Sequence, residues 1–376
     1  MKKILILHTS VGLGHKYIAE NIAYHLQKDG YEILLHDILQ VQEGLMVDFG
    51  VWLHSFINRR LPFVWRWIYF SKIVNLISLP LRVPLAKGNS ERLHEVVKTF
   101  RPDCILSTQT TASAATAALI EQKLFFGKFI IAFSDYHLHK FWLYDQADLY
   151  LANIEEQKQE MMALGIPEKK IAVCGITLKP KVEVDKDTLR QKLGIDDSDK
   201  IIIFASGSLG IGFDASLLQD YLTKLTSRDP DIYVLVLCGK NLDFKKQVEN
   251  FALSKVTALG FYDNPTELYQ IAEVLVTKPG GLTIAEALQA GIRIQITHTL
   301  PGQEEPNYEY LIDNGLVNPI PEPLTAQNLC DSTLKLLNTF DEARESPGET
   351  KNGYKITQSP NEGKVLKASV NSLFHG

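Results

Sequence analysis

The sequence has few cysteines and none of them are paired. Four occur in 376 residues, Cys104, Cys174, Cys238 and Cys330, and no two stand at a C-x-x-C spacing. That argues against a disulfide framework and a structural zinc site, and it fits a reducing compartment. Long apolar runs are also missing. No stretch is long enough to span a bilayer. The opening MKKILILHTS has too short an apolar run for a secretory signal and reads as a first strand. A positive overall field is absent too: the formal net charge is -5, which gives no general attraction for nucleic acid. No repeat with a period of 20–50 residues is visible.

What is present is an ordinary globular composition, 45% hydrophobic and 22% charged, in a chain long enough for two sizeable cores. Ile4 to His8 is a near-continuous apolar strand, as a sheet buried on both faces requires. The loop Thr9 to His15 and a helix from Lys16 to Gln27 follow, then a strand from Glu32 to Leu39. After an interruption the alternation resumes. Strands are expected at Asp103 to Ser107, Phe129 to Ser134, Asp148 to Ala152 and Ile171 to Cys174, with helices at Ala112 to Glu121 and Glu155 to Leu164. Gly175 to Asp185 reads as a linker. The second half repeats the logic with strands at Lys200 to Ala205, Ile232 to Cys238, Val256 to Leu259, Val274 to Thr277 and Ile292 to Thr297. Helices are expected at Asp214 to Leu225, Ala326 to Leu337 and Lys364 to Phe374, and a polar loop at Asp341 to Asn352. The fold class is α/β, with two Rossmann-like domains expected to face a cleft. The expected division is 1–178, 179–352 and a last helix within 353–376 that returns to the first domain.

The most informative stretch is TKPGGLTIAEALQAGIRIQITHTLPGQEEPNYEYL, Thr277 to Leu311. Gly280 and Gly281 open a helix, with Leu282 and Thr283 in its first turn; amides there favour a phosphate. Glu286 lies about a turn and a half further on, where a carboxylate could accept hydrogen bonds from ribose hydroxyls. Gln303, Glu304 and Asn307 belong to a second polar turn before another helix. The plain alternative is an ordinary αβ turn with Glu286 solvated.

TKPGGLTIAEAL followed by LPGQEEPNYEYL resembles the C-terminal domain of the family-28 glycosyltransferases. Within that family the pattern resembles the processive diacylglycerol glucosyltransferases and the monogalactosyldiacylglycerol synthases. The resemblance implies a GT-B fold and a UDP-sugar donor, with Glu286 on the uridine ribose and Gln303 and Asn307 on sugar hydroxyls. It implies no cofactor and no metal.

Four further stretches bear on this reading. In Val11 to His15, VGLGH, the third position of a dinucleotide fingerprint is Tyr17 rather than glycine. The loop instead resembles the family's GGGH loop, with Leu13 for the middle glycine, Gly14 at the cleft and His15 as candidate base. SDYHLHKFW, Ser134 to Trp142, resembles the D-x-x-x-H-x-x-W loop of the lipid glycosyltransferases. Asp135 there is a second candidate base or the orienter of His15, and His139 and Trp142 lie on the acceptor side. His137 and His139 with Asp135 make only a weak metal set. FASGSLG supplies Ser206, Gly207 and Ser208, resembling the family's loop near the diphosphate; a simple turn is the alternative. GITLK, Gly175 to Lys179, departs from the family's element at Thr177 and Lys179, where lysine lacks the bidentate geometry of arginine.

The interruption is aromatic and basic. Val51 to Leu85 holds Trp52, Trp65 and Trp67, and from Val51 to Arg101 nine Lys/Arg stand against two Glu. It reads either as a helical insertion packed on the first domain or as a membrane-surface patch at Trp65, Arg66 and Trp67. Asp229-Pro230-Asp231 spells D-x-D, but proline makes it a turn.

The sequence thus points to an inverting hexosyltransferase. Its expected partners are a UDP-hexose, a lipid acceptor such as diacylglycerol or glycosyl-diacylglycerol, and an anionic membrane surface, with no nucleic acid. Its expected location is cytoplasmic, peripheral on the inner face of the membrane. The alternatives are a UDP-N-acetylhexosamine epimerase of the same fold and a silent UDP-sugar- or membrane-binding protein.

Overall fold

The structure is a computed structural model that describes residues 1–9, 13–41, 62–207, 210, 213–344 and 363–375. Val11, Gly12, Trp52 and Ser208 lie outside the described residues, as do 345–352 of the expected polar loop. The chain divides into two compact units. The first comprises Met1–Lys179, Pro301–Pro306 and the C-terminal helix; the second comprises Pro180–Leu300 and the chain resuming at Asn307.

The first unit runs β1 (Lys3–His8), α1 (Leu13–Lys28), β2 (Glu32–Asp37), α2 (Ile38–Val41), α3 (Pro62–Phe70), α4 (Lys72–Phe100), β3 (Cys104–Ser107), α5 (Thr110–Glu121), β4 (Lys128–Ala132), a 3₁₀ turn (Lys140–Trp142), β5 (Leu149–Ala152), α6 (Glu155–Ala163) and β6 (Ile171–Val173). Its parallel sheet has the order β2-β1-β3-β4-β5-β6. The apolar runs are what this topology demands: Ile4, Leu5, Ile6 and Leu7 are all fully buried between helix layers. The second strand stops earlier than expected. The Asp37 carboxylate accepts the Leu39 amide at 3.0 Å, so the chain turns into α2 at Ile38.

Residues 72–100 form one 29-residue helix despite Pro80 and Pro84 within it. The two prolines hide it in the sequence, since each removes an amide donor. Ser71 caps its start by accepting the Val74 amide, and Arg101 ends it in the left-handed region at φ 54. Tertiary packing holds it. Val83 and Ala86 meet Ala114, Ala117 and Ala118, and Leu93 and Val97 meet Ala112, Ala115 and Leu119. Alanines on α5 let the two helices approach closely.

The second unit runs α7 (Lys186–Leu193), β7 (Lys200–Ala205), α8 (Ala215–Arg228), β8 (Ile232–Leu237), α9 (Leu242–Glu249), β9 (Val256–Leu259), α10 (Pro265–Tyr269), β10 (Val274–Thr277), α11 (Gly281–Ala290), β11 (Arg293–Ile296), α12 (Glu304–Asp313) and α13 (Ala326–Arg344). Its parallel sheet has the order β11-β10-β7-β8-β9. Asp229 accepts the Asp231 amide at 3.0 Å, which makes Asp-Pro-Asp a local turn before β8. Two boundaries differ from the sequence reading. Glu304 already opens α12, so Glu304 to Asn307 form its first turn. Asp341 to Arg344 are the helical end of α13, not loop.

The last helix, α14 (Lys364–His375), returns to the first unit. Leu366 and Val370 are fully buried there. Asn371 donates to Asp29 at 2.8 Å and accepts the Tyr31 hydroxyl, and Phe374 packs on the Tyr31 ring.

In each sheet the strand order reverses once near the middle, at β1/β3 in the first unit and β7/β10 in the second. Ligands of open αβ sheets collect beyond the carboxyl ends of strands at such a reversal.

Candidate functional site

At the reversal in the second unit, β7 runs out into Ser206-Gly207 and β10 into Lys278-Pro279-Gly280. Ser206 is buried and its Oγ has no hydrogen-bond partner. Gly207 has φ +80, and a Cβ there would stand 3.0 Å from Lys278 Cε. Glycine is needed for both reasons, and the lysine chain lies directly over the turn. Gly280 is the N-cap of α11 and offers no side-chain cap, so the first amides around Gly281, Leu282 and Thr283 keep their helix-end character.

Asn307 is fully buried and donates to the Pro279 carbonyl at 3.2 Å. In this arrangement it fixes the Pro-Gly-Gly turn. Glu286 is half-buried on α11, and its carboxyl makes no hydrogen bond among the described residues. Burial pushes its pKa up to about 8, and its charge would in turn be felt by buried Tyr269. A desolvated carboxyl without donors is suited to a ligand that brings hydroxyls.

The sequence reading passed over Lys278 and His298. His298 follows β11 at the same sheet edge, its Nδ1 paired with Thr297 Oγ1 at 2.9 Å and its ring against Phe213. Its buried Nε2 has no partner. Burial, reinforced by the Lys278 charge, lowers its pKa to about 4, so the ring is neutral. The available signal was position: each is within two residues of the carboxyl end of its strand, Lys278 after β10 and His298 after β11.

At the reversal in the first unit, His15 stands in the first turn of α1, after Gly14. Its carbonyl accepts the Thr108 hydroxyl at 3.0 Å, tying the loop after β3 to the start of α1. Its buried Nδ1 has no partner. Burial lowers its pKa, opposed by the negative charge of Asp135. Asp135 is buried, and its Oδ2 accepts Ser134 Oγ at 3.0 Å and Gln303 Nε2 at 2.9 Å. Gln303 and Glu304 thus belong, by contact, to this unit: Gln303 is exposed and Glu304 buried. Two side chains that the sequence reading missed hold the Asp135 loop. Asn153 and Gln157 each donate to the Asp135 carbonyl at 2.8 Å, and Gln157 also donates to the His137 carbonyl at 2.8 Å. They follow β5 and open α6, and nothing in their sequence neighbourhood marks them.

His139 accepts the Phe141 amide at Nδ1, 3.3 Å, and therefore donates from Nε2 to the Tyr69 carbonyl at 3.2 Å. It caps the 3₁₀ turn and docks α3. Trp142 is core: it is buried against Phe133, with its ring 6.3 Å from that of His15. Among the described residues no three His, Cys, Asp or Glu side chains converge as a metal set.

On α3 the expected patch divides between two faces. Trp65 and Tyr69 are half-buried, while Phe63, Trp67 and Phe70 are 73%, 62% and 47% exposed. Arg66 is exposed and paired with Glu305. Leu81 and Leu85 on α4 are exposed as well. No helix among the described residues is long and apolar enough to cross a membrane.

Two family models match successive parts of the chain. Residues 15–178 match the monogalactosyldiacylglycerol (MGDG) synthase family, and residues 201–307 match the glycosyltransferase family 28 C-terminal domain. A processive diacylglycerol beta-glucosyltransferase from Bacillus pumilus is 27% identical over 84% of this chain and 82% of its own. Among solved structures, UDP-GlcNAc 2-epimerase from Neisseria meningitidis, bound to UDP-GlcNAc, superposes with a TM-score of 0.64 at 18% identity, covering 100% of both chains. MurG from Acinetobacter baumannii superposes with a TM-score of 0.58 at 16% identity, covering 99% of this chain and 100% of that one. At such identities the structural likeness is one of fold. The chain therefore carries an MGDG-synthase-type domain followed by a glycosyltransferase family 28 C-terminal domain, on a GT-B fold.

Proposed function

We propose that this chain moves a hexose from a UDP-hexose to diacylglycerol or glycosyl-diacylglycerol, with inversion at the anomeric carbon. The observation that carries the reading is His15 at the strand reversal, within electrostatic reach of the buried Asp135 that follows β4, in the unit that carries the MGDG-synthase-type domain. An alcohol is a poor nucleophile until a base takes its proton as it attacks, and a neutral imidazole or a carboxylate can do that. The donor binds to the second unit, with ribose on Glu286 and diphosphate at Ser206, Gly207 and the start of α11. The leaving UDP is stabilised by helix-end amides and by Lys278.

The test is UDP release from a panel of UDP-sugars, with and without diacylglycerol vesicles. Acceptor-dependent release supports transfer. Turnover of a UDP-N-acetylhexosamine with no acceptor would instead assign the epimerase reaction, and UDP-sugar binding without release would mark a silent protein.

The exposed face of α3 serves as the contact with the inner face of the membrane, with Phe63, Trp67 and Phe70 entering the headgroup region. Full burial of one such side chain contributes about 1.5–3 kcal/mol, so Phe63→Ser/Trp67→Ser should weaken vesicle flotation by roughly tenfold or more. Equal flotation of the variant and the wild type would remove this contact.

A further inference from the structure

Two segments of the first unit that are far apart in sequence, α3 and residues 301–306, are tied together. Arg66 Nε donates to both oxygens of Glu305, at 2.8 and 3.0 Å. One of those oxygens also accepts the Gly302 amide at 3.1 Å. Glu305 therefore holds the helix and the turn at once. Gly302 has φ +90, and a Cβ there would come within 3.1 Å of Tyr69 Cβ and 3.3 Å of Trp65 Nε1. Only glycine lets the turn lie this close to the helix. The next residue is Gln303, whose amide donates to Asp135 at 2.9 Å. The same helix reaches the Asp135 loop a second way, through the Tyr69 hydroxyl paired with His137 Nε2 at 2.6 Å.

We propose that Arg66 is a positioning residue for sugar transfer. Through Glu305 and the Gly302 turn it sets Gln303 against Asp135. The helix that exposes Phe63, Trp67 and Phe70 thereby fixes the carboxylate at the acceptor. The inference rests on the reading of Asp135 as a working carboxylate given above. Exposed ion pairs contribute little to folding stability, so the effect belongs to turnover rather than to unfolding.

The experiment measures kcat, donor KM and UDP affinity with UDP-glucose and dioctanoylglycerol in neutral detergent micelles, which present no charged lipid surface. Arg66→Ala and Glu305→Ala should each lower kcat about fivefold, the upper range for an exposed pair, and leave UDP affinity unchanged. The double variant should be no slower than either single one, and Arg66→Lys, which keeps a cationic donor to Glu305, should recover most of the rate. Additive losses, or an Arg66→Lys variant as slow as Arg66→Ala, overturn the proposal. So does a slow Arg66→Ala beside an unaffected Glu305→Ala, which would give Arg66 a role of its own. Asp135→Asn serves as the control. If it retains wild-type turnover, the reading of Asp135 has failed and the inference falls with it. If it is inactive while Arg66→Ala is unimpaired, the inference alone has failed.

Discussion

The two strand reversals are built of different materials. The one in the second unit is mostly backbone and small residues, Ser206, Gly207, Pro279 and Gly280, with Lys278, His298 and the Glu286 carboxyl beside them. The one in the first unit is crowded with titratable side chains held by others, with His15 tied to Thr108 and Asp135 gripped by Ser134, Asn153, Gln157 and Gln303. A site that only recognises can leave its groups waiting for the ligand. A site that moves a proton must hold its base in place beforehand.

Substitutions can break that contrast. The largest effect is expected at the first unit. His15→Ala and Asp135→Asn should each lower turnover by about 10²–10⁴-fold, the usual contribution of general acid–base catalysis, with UDP affinity unchanged in calorimetry. Unchanged rates would remove the base assignment. In the second unit the failure should appear in binding instead. Gly207→Val would put a branched side chain where φ is +80 and the lysine chain is 3.0 Å away, so UDP affinity should drop by at least tenfold while the fold persists.

Glu286 gives a pH signature. Its pKa of about 8 means the free protein holds a proton there at pH 7. Ribose hydroxyls donate to the ionised form, so UDP binding should expel that proton. Affinity should then rise with pH up to about 8, by at most about tenfold per unit. Titrations at pH 7 in two buffers of different ionisation heat would reveal the proton, and Glu286→Gln should abolish the difference. The stability sign is opposite. The folded chain binds more protons than the unfolded one between the ordinary glutamate range and pH 8, so this group weakens folding as pH rises through that window, and Glu286→Gln removes the loss. Smallest is Asn153→Ala. It removes one of two donors to the Asp135 carbonyl and should cost about 1–3 kcal/mol of stability in denaturant unfolding.

The same contrast explains what was legible in the sequence. The strands could be read because a parallel sheet buried on both faces demands apolar runs, and the glycine turns because only glycine fits there. The donor stretch is contiguous, so one window contained it. The first-unit site is assembled from positions 15, 108, 135, 153, 157 and 303, and no window spans them. His15 and Asp135 came from motif resemblance; Asn153 and Gln157 had no signal. The long helix α4 was hidden by Pro80 and Pro84, whose cost is offset by alanine packing that only the folded chain shows. Trp142, expected at the acceptor, lies in the core beside His15, since an aromatic on a loop does not reveal which way it faces.

The C-terminal helix separates the order of synthesis from the order of completion. The first unit emerges from the ribosome first, yet the surface around Tyr31 and Asp29 stays uncovered until Leu366, Val370, Asn371 and Phe374 arrive. The whole second unit can be made and folded in that interval. A truncation within the last dozen residues would therefore damage the half of the enzyme that was synthesised earliest.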